Sequence, residues 1–314
     1  MMSGLIKTIL ACSLVGLFFI DCRQKNQQYD SPLKGEISIS VDESFKPVIT
    51  EQIKVYESSY PEAHIQASYK SEADCFRDLQ TDSTRMIIVS RGLNTDESRF
   101  YKQKLSFKPL WDVLAYDAVA VIVNTRSKDS AFTINRLKDY LSGKDTGKLV
   151  AVAGRNATSV VRLLQDSILK GAGFGKNVMA AADSKELINY VADNVDAIGF
   201  VGTSWVTDED DPEQQKYKNR IRLGLIECKK CGEDMYAKPS QATIMQGQYP
   251  LVRSLFFILK ENSNGLGTGF TNYLSLERGQ LVFRRSYLVP GRMDFNIRKS
   301  MMESNKNLLN KTMQ

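Results

Sequence analysis

Gly35-Glu-Ile-Ser-Ile-Ser-Val-Asp-Glu-Ser-Phe-Lys-Pro-Val-Ile-Thr-Glu-Gln-Ile-Lys-Val-Tyr56 is the stretch from which the rest of the chain is read. Ile37, Ile39 and Val41 alternate with Glu36, Ser38 and Ser40, and a period of two puts the apolar side chains on one face of a strand. Asp42, Glu43 and Ser44 then offer short polar side chains that satisfy the free N–H groups of a helix start. Phe45, Val48, Ile49, Ile53 and Tyr56 follow at helical spacing, with Pro47 tolerated in the first turn. The unit is strand, polar turn, helix.

That unit recurs along the chain. Ile65, Ala67 and Tyr69 alternate as a second strand, and Ser71 caps a helix predicted to run to about Asp82. Met86–Val89 reads as a short buried strand. The apolar run Val113–Val123 reads as a longer strand, interrupted by Tyr116-Asp117. Thr133 opens a short helix ending near Gly143, and Leu149–Ala153 is a strand. Thr158 or Ser159 caps a helix that stops at Gly171. Asp183-Ser-Lys-Glu186 has capping-box spacing and opens a helix to about Asn194. Ala197–Val201, Leu223–Ile226 and Leu251–Lys260 read as strands, Asp208–Asp211 as a solvated acidic loop, and Phe270–Ser286 as one helix with Gly279 inside it.

Strands alternating with helices predict an α/β protein with largely parallel sheets. Such sheets bind ligands in a crevice at the C-terminal ends of their strands. The residues just after strands are Asp42-Glu43-Ser44, Lys70-Ser71, Ser90-Arg91 and Asn156 to Ser159. Helix starts present free N–H groups and a partial positive charge. Hydroxyls add donors, and a guanidinium adds a bidentate pair. This is an oxyanion-binding character, although each hydroxyl alone is also an ordinary helix cap.

The chain has 314 residues, 42% hydrophobic and 25% charged, which suits one large or two medium soluble domains. Twenty glycines exclude a collagen-like chain. The one long apolar run lies at the N-terminus, which excludes a polytopic membrane protein. The net charge of +6 is concentrated at the C-terminus, where seven Lys/Arg from Arg284 onward face Asp294 and Glu303. The body is therefore near neutral, without the basic stripe that nucleic-acid binding needs. Residues 301–314 read as a solvated basic tail.

Lys7, the apolar run Thr8–Ile20 and the polar sequence after it follow signal-peptide grammar, giving a leader over 1–22 and a tether over 23–34. Cys22 at the junction resembles a lipoprotein acylation site. Cys12, after Ile9-Leu10-Ala11, is the alternative, and a plain cleaved signal or an uncleaved anchor remain open. All of them place the body outside the cytoplasmic membrane. Cys228-Lys-Lys-Cys231 lacks the second pair of a structural zinc site and does not open a helix after a strand as redox motifs do. A local disulfide, inert thiols, a metal with outside ligands and a redox pair all remain open, the first two favoured in an exported protein.

The mature chain resembles the phosphate-binding component of phosphate ABC importers, the PstS-like periplasmic binding proteins, in the form common in Bacteroidetes. The resemblance rests on an ordered set of segments between about 36 and 298. They are Val41-Asp-Glu-Ser-Phe45, Ile88-Val-Ser-Arg-Gly-Leu93 with Asp96-Glu97, Ala115–Asn124, Leu137–Gly143 and Ala197-Ile-Gly-Phe-Val201. Lys238-Pro-Ser240, Tyr249-Pro-Leu-Val-Arg253, Gly265–Phe270, Glu277-Arg-Gly-Gln280 and Val289-Pro290 complete it. The resemblance implies a two-lobe type II clamshell, with lobe one over 35–115 plus 246–300 and lobe two over 116–245. The chain would cross between lobes near Tyr116-Asp117 and again near Gln246 to Tyr249. It implies a monomer without cofactor or metal that passes phosphate or a related oxyanion to an ABC permease. The ligand-binding residues carried over are Ser44, Ser71, Ser90 and Arg91 in lobe one, and Asn156, Thr158 and Ser159 in lobe two.

Two departures from that pattern matter. Arg155-Asn156-Ala157-Thr158-Ser159 lacks the glycine that lets backbone approach an anion in Ser-Gly-Thr sites. No aspartate stands by Ser90-Arg91 to accept the proton of hydrogen phosphate; Asp42 or Asp74 takes that part only if the fold brings it to the cleft. Catalysis finds little support: His64 is the only histidine and has no recognisable nucleophile. Gly171-Ala-Gly-Phe-Gly175 follows a helix rather than a strand and reads as a loop. An extracytoplasmic anion sensor or scaffold on the same fold is the competing function.

Overall fold

The computed structural model describes residues 30–154 and 158–292. The leader with Cys12 and Cys22, Asn156 and the tail 301–314 lie outside the described residues.

The strands are β1 (Gly35–Asp42), β2 (Ala63–Lys70), β3 (Thr84–Val89), β4 (Leu110–Asn124), β5 (Ala131–Phe132), β6 (Leu149–Ala153), β7 (Val178–Ala181), β8 (Ala197–Gly202), β9 (Ile221–Leu223), β10 (Leu225–Glu227), β11 (Tyr236–Ala237), β12 (Val252–Leu259) and β13 (Val289–Pro290). Their principal sheet has the order β2-β1-β3-β12-β4-β8-β6-β7, with β9 and β13 also paired to β4. In one half, β1 runs parallel to β2 and β3, and β12 enters antiparallel to β3. In the other, β6 runs parallel to β7 and β8, and β4 enters antiparallel to β8. Each half is thus a parallel α/β unit joined to its neighbour by one strand that comes from the other. The expectation of largely parallel sheets holds inside each half and fails where the halves meet.

β4 makes the join. It is one continuous strand of 15 residues, not interrupted at Tyr116-Asp117. Its first part pairs with β12 and its second with β8 and β9. The apolar core divides along it. Leu114 and Ala115 pack with Ile37, Phe45, Phe257 and Phe270, whereas Ala118, Val119 and Val121 pack with Phe132, Leu141 and Phe200. This is the two-lobe type II clamshell.

Several local expectations are corrected. Residues 30–34 are not free tether: Asp30 accepts from Arg85 and from the Leu266 N–H, and Tyr56 donates to the Pro32 carbonyl. The helix after Ser71 stops at Leu79 rather than Asp82. Leu223–Ile226 is not one strand, because Gly224 separates β9 from β10, which belong to different sheets. Phe270–Ser286 is two helices, Leu266–Ser275 and Glu277–Arg285, broken at extended Leu276. Gly279 lets the second pack back on the first, since a Cβ there would meet the Tyr273 carbonyl oxygen at 2.4 Å. A helix over Thr95–Leu105, capped by Asn94 and Glu97, was not expected. Cys228 and Cys231 are joined by a disulfide, and His64 lies exposed on β2.

Candidate functional site

The site lies where the ends of β1, β3 and β6 face each other across the halves. At the end of β1 the chain turns sharply through Glu43–Phe45 into the helix Lys46–Ser59. Asp42 caps this turn. It is fully buried, and its Oδ1 accepts from the Ser44 N–H at 2.9 Å and from the Ser44 hydroxyl. Its Oδ2 reaches into lobe two and accepts from the Ser159 N–H at 3.1 Å. The Ser44 and Ser159 hydroxyl oxygens are 3.3 Å apart. Ser159 opens the helix that Thr158 caps, and Thr158 itself donates to the Ala153 carbonyl.

Beneath the two serines lies a buried ion pair on neighbouring strands. Arg253 of β12 stands opposite Asp117 of β4 in the register. Its Nε and Nη2 donate to Asp117 Oδ2 at 3.0 and 2.7 Å, and its Nη1 donates to the Ser159 hydroxyl at 2.6 Å. Thr203 donates to the other Asp117 oxygen, and the guanidinium covers the Phe45 ring at 4.2 Å. Gly202 is required here: a Cβ would meet the Ser44 carbonyl oxygen at 2.7 Å and Arg253 Nη2 at 2.8 Å.

A second ionic group spans the cleft. Glu72, in the first turn after Ser71, accepts from the Ser90 N–H and hydroxyl, both at 2.8 Å. Arg162 of lobe two donates to it from Nε at 2.7 Å, and from Nη2 to the Ser90 hydroxyl at 2.6 Å. At the cleft edge Glu43 accepts from the N–H and hydroxyl of Ser184, the first residue of the lobe-two helix Ser184–Asp193.

Among the sequence-predicted residues, the fold brings Ser44, Ser90 and Ser159 to the cleft, with Thr158 as the cap beneath Ser159. Ser71 exchanges hydrogen bonds with Asp74 as an ordinary cap. Asp74 also pairs with Arg77 on the same helix. Arg91 makes a bidentate pair with Glu97 at 2.8 Å and stacks on Phe76, and it joins none of the cleft groups. Asp42 is at the centre of the site, while Asp117, Glu72, Arg162 and Arg253 are absent from the ligand-binding residues expected from the sequence, although Asp117 stands there at the lobe crossing and Arg253 in the Tyr249–Arg253 segment. The signal for Asp117 was present as a charge inside an apolar strand.

The electrostatics are mixed. Burial pushes the Asp42 carboxyl above its ordinary range; Arg253 works against this and Glu72 adds to it. Burial likewise raises Glu43. Burial also pushes Glu72 up, but Arg162 and Ser90 outweigh it and hold that carboxyl below its usual value. Four carboxylates therefore face two guanidiniums. Among the described residues no cluster of His, Cys, Asp and Glu could hold a metal ion, and no helix is long and apolar enough to cross a membrane.

A clamshell whose strand ends and helix starts converge on an interlobe cleft defines the solute-binding class, in which a ligand is enclosed between two α/β lobes. A family profile described as PBP superfamily domain matches residues 26–277, and the chain belongs to that superfamily. The phosphate-binding protein PstS of Pseudomonas aeruginosa is 22% identical over 297 residues, 86% of this chain and 88% of that one. A protein from Clostridium perfringens, described as a phosphate ABC transporter substrate-binding protein and solved with bound phosphate, superposes with a TM-score of 0.67. It is 17% identical and the match covers 82% of this chain and 99% of that one. An ABC-type phosphate transport receptor from Vibrio cholerae gives a TM-score of 0.59 at 17% identity, over 82% of this chain and all of that one (100%).

Proposed function

We propose that this protein is an extracytoplasmic solute-binding protein that captures inorganic phosphate or a related oxyanion between its lobes and passes it to an ABC permease. The observation that carries the reading is the convergence of the Ser44 and Ser159 N–H groups and hydroxyls, one set from each lobe, beside buried Arg253. Donors from both lobes that share one acceptor make closure and binding the same event. The names of the relatives support phosphate as the anion, and the family is one of binders rather than enzymes.

The lobes are read as 35–115 plus 246–300 and 116–245, moving about the crossings near Tyr116-Asp117 and Gln246–Tyr249. Ser44, Ser90, Thr158 and Ser159 are the ligand-side residues kept from the sequence reading. Ser71, Arg91 and Asn156 belong to the wider candidate set. The protein works as a monomer without cofactor, held at the outer face of the membrane by lipid on Cys22, or on Cys12.

Isothermal titration of phosphate-stripped protein, first with phosphate and then with sulfate, tests the reading. Saturable binding of phosphate is expected. Binding of neither anion contradicts it.

A further inference from the structure

Three of the donors that would seat an oxyanion in this cleft are already held by the protein's own Asp42 carboxylate. Asp42 takes the Ser44 N–H and hydroxyl on one oxygen and the Ser159 N–H on the other, and it is fully buried. The Ser159 hydroxyl, the remaining donor, receives Arg253 Nη1 and lies within reach of Ser44. A backbone N–H serves one strong acceptor at a time, so an anion can use these groups only after the carboxylate leaves them. The contact also joins the lobes, because Asp42 ends β1 and Ser159 starts a lobe-two helix. Glu43 on Ser184 and Glu72 on Arg162 make the same kind of bond from lobe one to lobe two. Three lobe-one carboxylates set against lobe-two donors describe a cleft that closes on itself.

We propose that Asp42 is the cleft's internal anion: it holds the oxyanion seat in the ligand-free closed state, and an incoming oxyanion must displace it. The proposal rests on the oxyanion reading above. Self-closure lowers apparent affinity by the fraction of molecules in which the seat is free. Asp42 thereby sets how much free anion is needed before the protein loads, and a like charge beside the seat penalises an anion that fails to move it.

The test has two arms, both on the full chain in detergent. In the first, spin labels at Lys54→Cys and Lys170→Cys, on exposed positions of the two lobes, report the interlobe distance in phosphate-free protein. One narrow distance is expected, broadening in Asp42→Asn. A broad or long distance in the ligand-free chain with Asp42 intact overturns the proposal and leaves the oxyanion reading untouched. In the second arm, inorganic phosphate is titrated into the unsubstituted chain, Asp42→Asn and Asp42→Ala, each checked for native circular dichroism. Binding at least tenfold tighter in the folded variants is expected. Equal affinity overturns the proposal, and weaker affinity makes Asp42 an acceptor for the ligand's proton, which overturns it too. A narrow ligand-free distance that depends on Asp42, with no phosphate binding by any variant, supports the internal anion and contradicts phosphate as the cargo.

Discussion

Two arginine–carboxylate groups line the cleft, and they differ in what they are built on. Arg253 and Asp117 sit on adjacent strands at paired register positions, with side chains 3% and 0% exposed. Arg162 and Glu72 come from helices of opposite lobes, and the arginine side chain is 36% exposed. The first pair is held by the pairing of β12 with β4, where the chain passes between the lobes. The second exists only while they are together. One is the floor of the site and the other a latch across it.

The largest expected effect breaks the floor. Asp117→Ala strands the Arg253 guanidinium in the core, and removing one partner of a buried pair costs about 3–5 kcal/mol. Urea denaturation should show that loss. A loss under about 1 kcal/mol would mean that the pair is solvated and the contrast with the latch is false.

Breaking the latch should act differently. Arg162→Ala should leave the unfolding midpoint nearly unchanged, because the pair lies between the lobes and their parting returns Glu72 to water. It should shift the interlobe distance toward open forms by the worth of a hydrogen bond to a charged group, about 1.5–3 kcal/mol before discounting for the exposure of Arg162. A changed midpoint with an unchanged distance would reverse the assignment.

Proton linkage sharpens the comparison. Glu72 has a lowered carboxyl pKa in the closed form, so its contribution to closure is fully present above its ordinary value of 4.5 and is lost as pH falls below it. The latch should therefore loosen and the interlobe distance lengthen as pH falls below 4.5. A distance that is unchanged or shortened by that acidification would contradict the assignment of Glu72 to the latch.

The smallest effect is expected at Arg91. Its partner Glu97 lies on the same lobe and both are partly exposed. Arg91→Ala should cost under about 1 kcal/mol of stability and change phosphate affinity by less than about twofold. A large loss of affinity by titration would return Arg91 to the site.

The contrast also explains what the sequence could reveal. Alternation in Gly35–Val41 and the caps Asp42, Thr133, Thr158 and Asp183 are local features, and the α/β units they imply are present. The strand β4 read as broken because Tyr116-Asp117 put a polar pair inside an apolar run; its partner Arg253 lies 136 residues away, and the register that joins them is a long-range property. The helix Thr95–Leu105 escaped notice because it buries only Tyr101 and so has little apolar periodicity. Ser44 and Ser159 were legible as helix starts. That Asp42 would bridge them was not, since its other acceptor contact lies 117 residues away. Arg91 drew attention as a guanidinium after a strand, but Glu97, placed by the Asn94 cap, takes it up locally.

The most direct test of the central claim is a crystal structure of the protein grown with phosphate. The account predicts the anion between the Ser44 and Ser159 N–H groups, with the Asp42 carboxylate turned away and Arg253 still paired with Asp117. Phosphate bound elsewhere, or Asp42 still holding both serines at full occupancy, would contradict it.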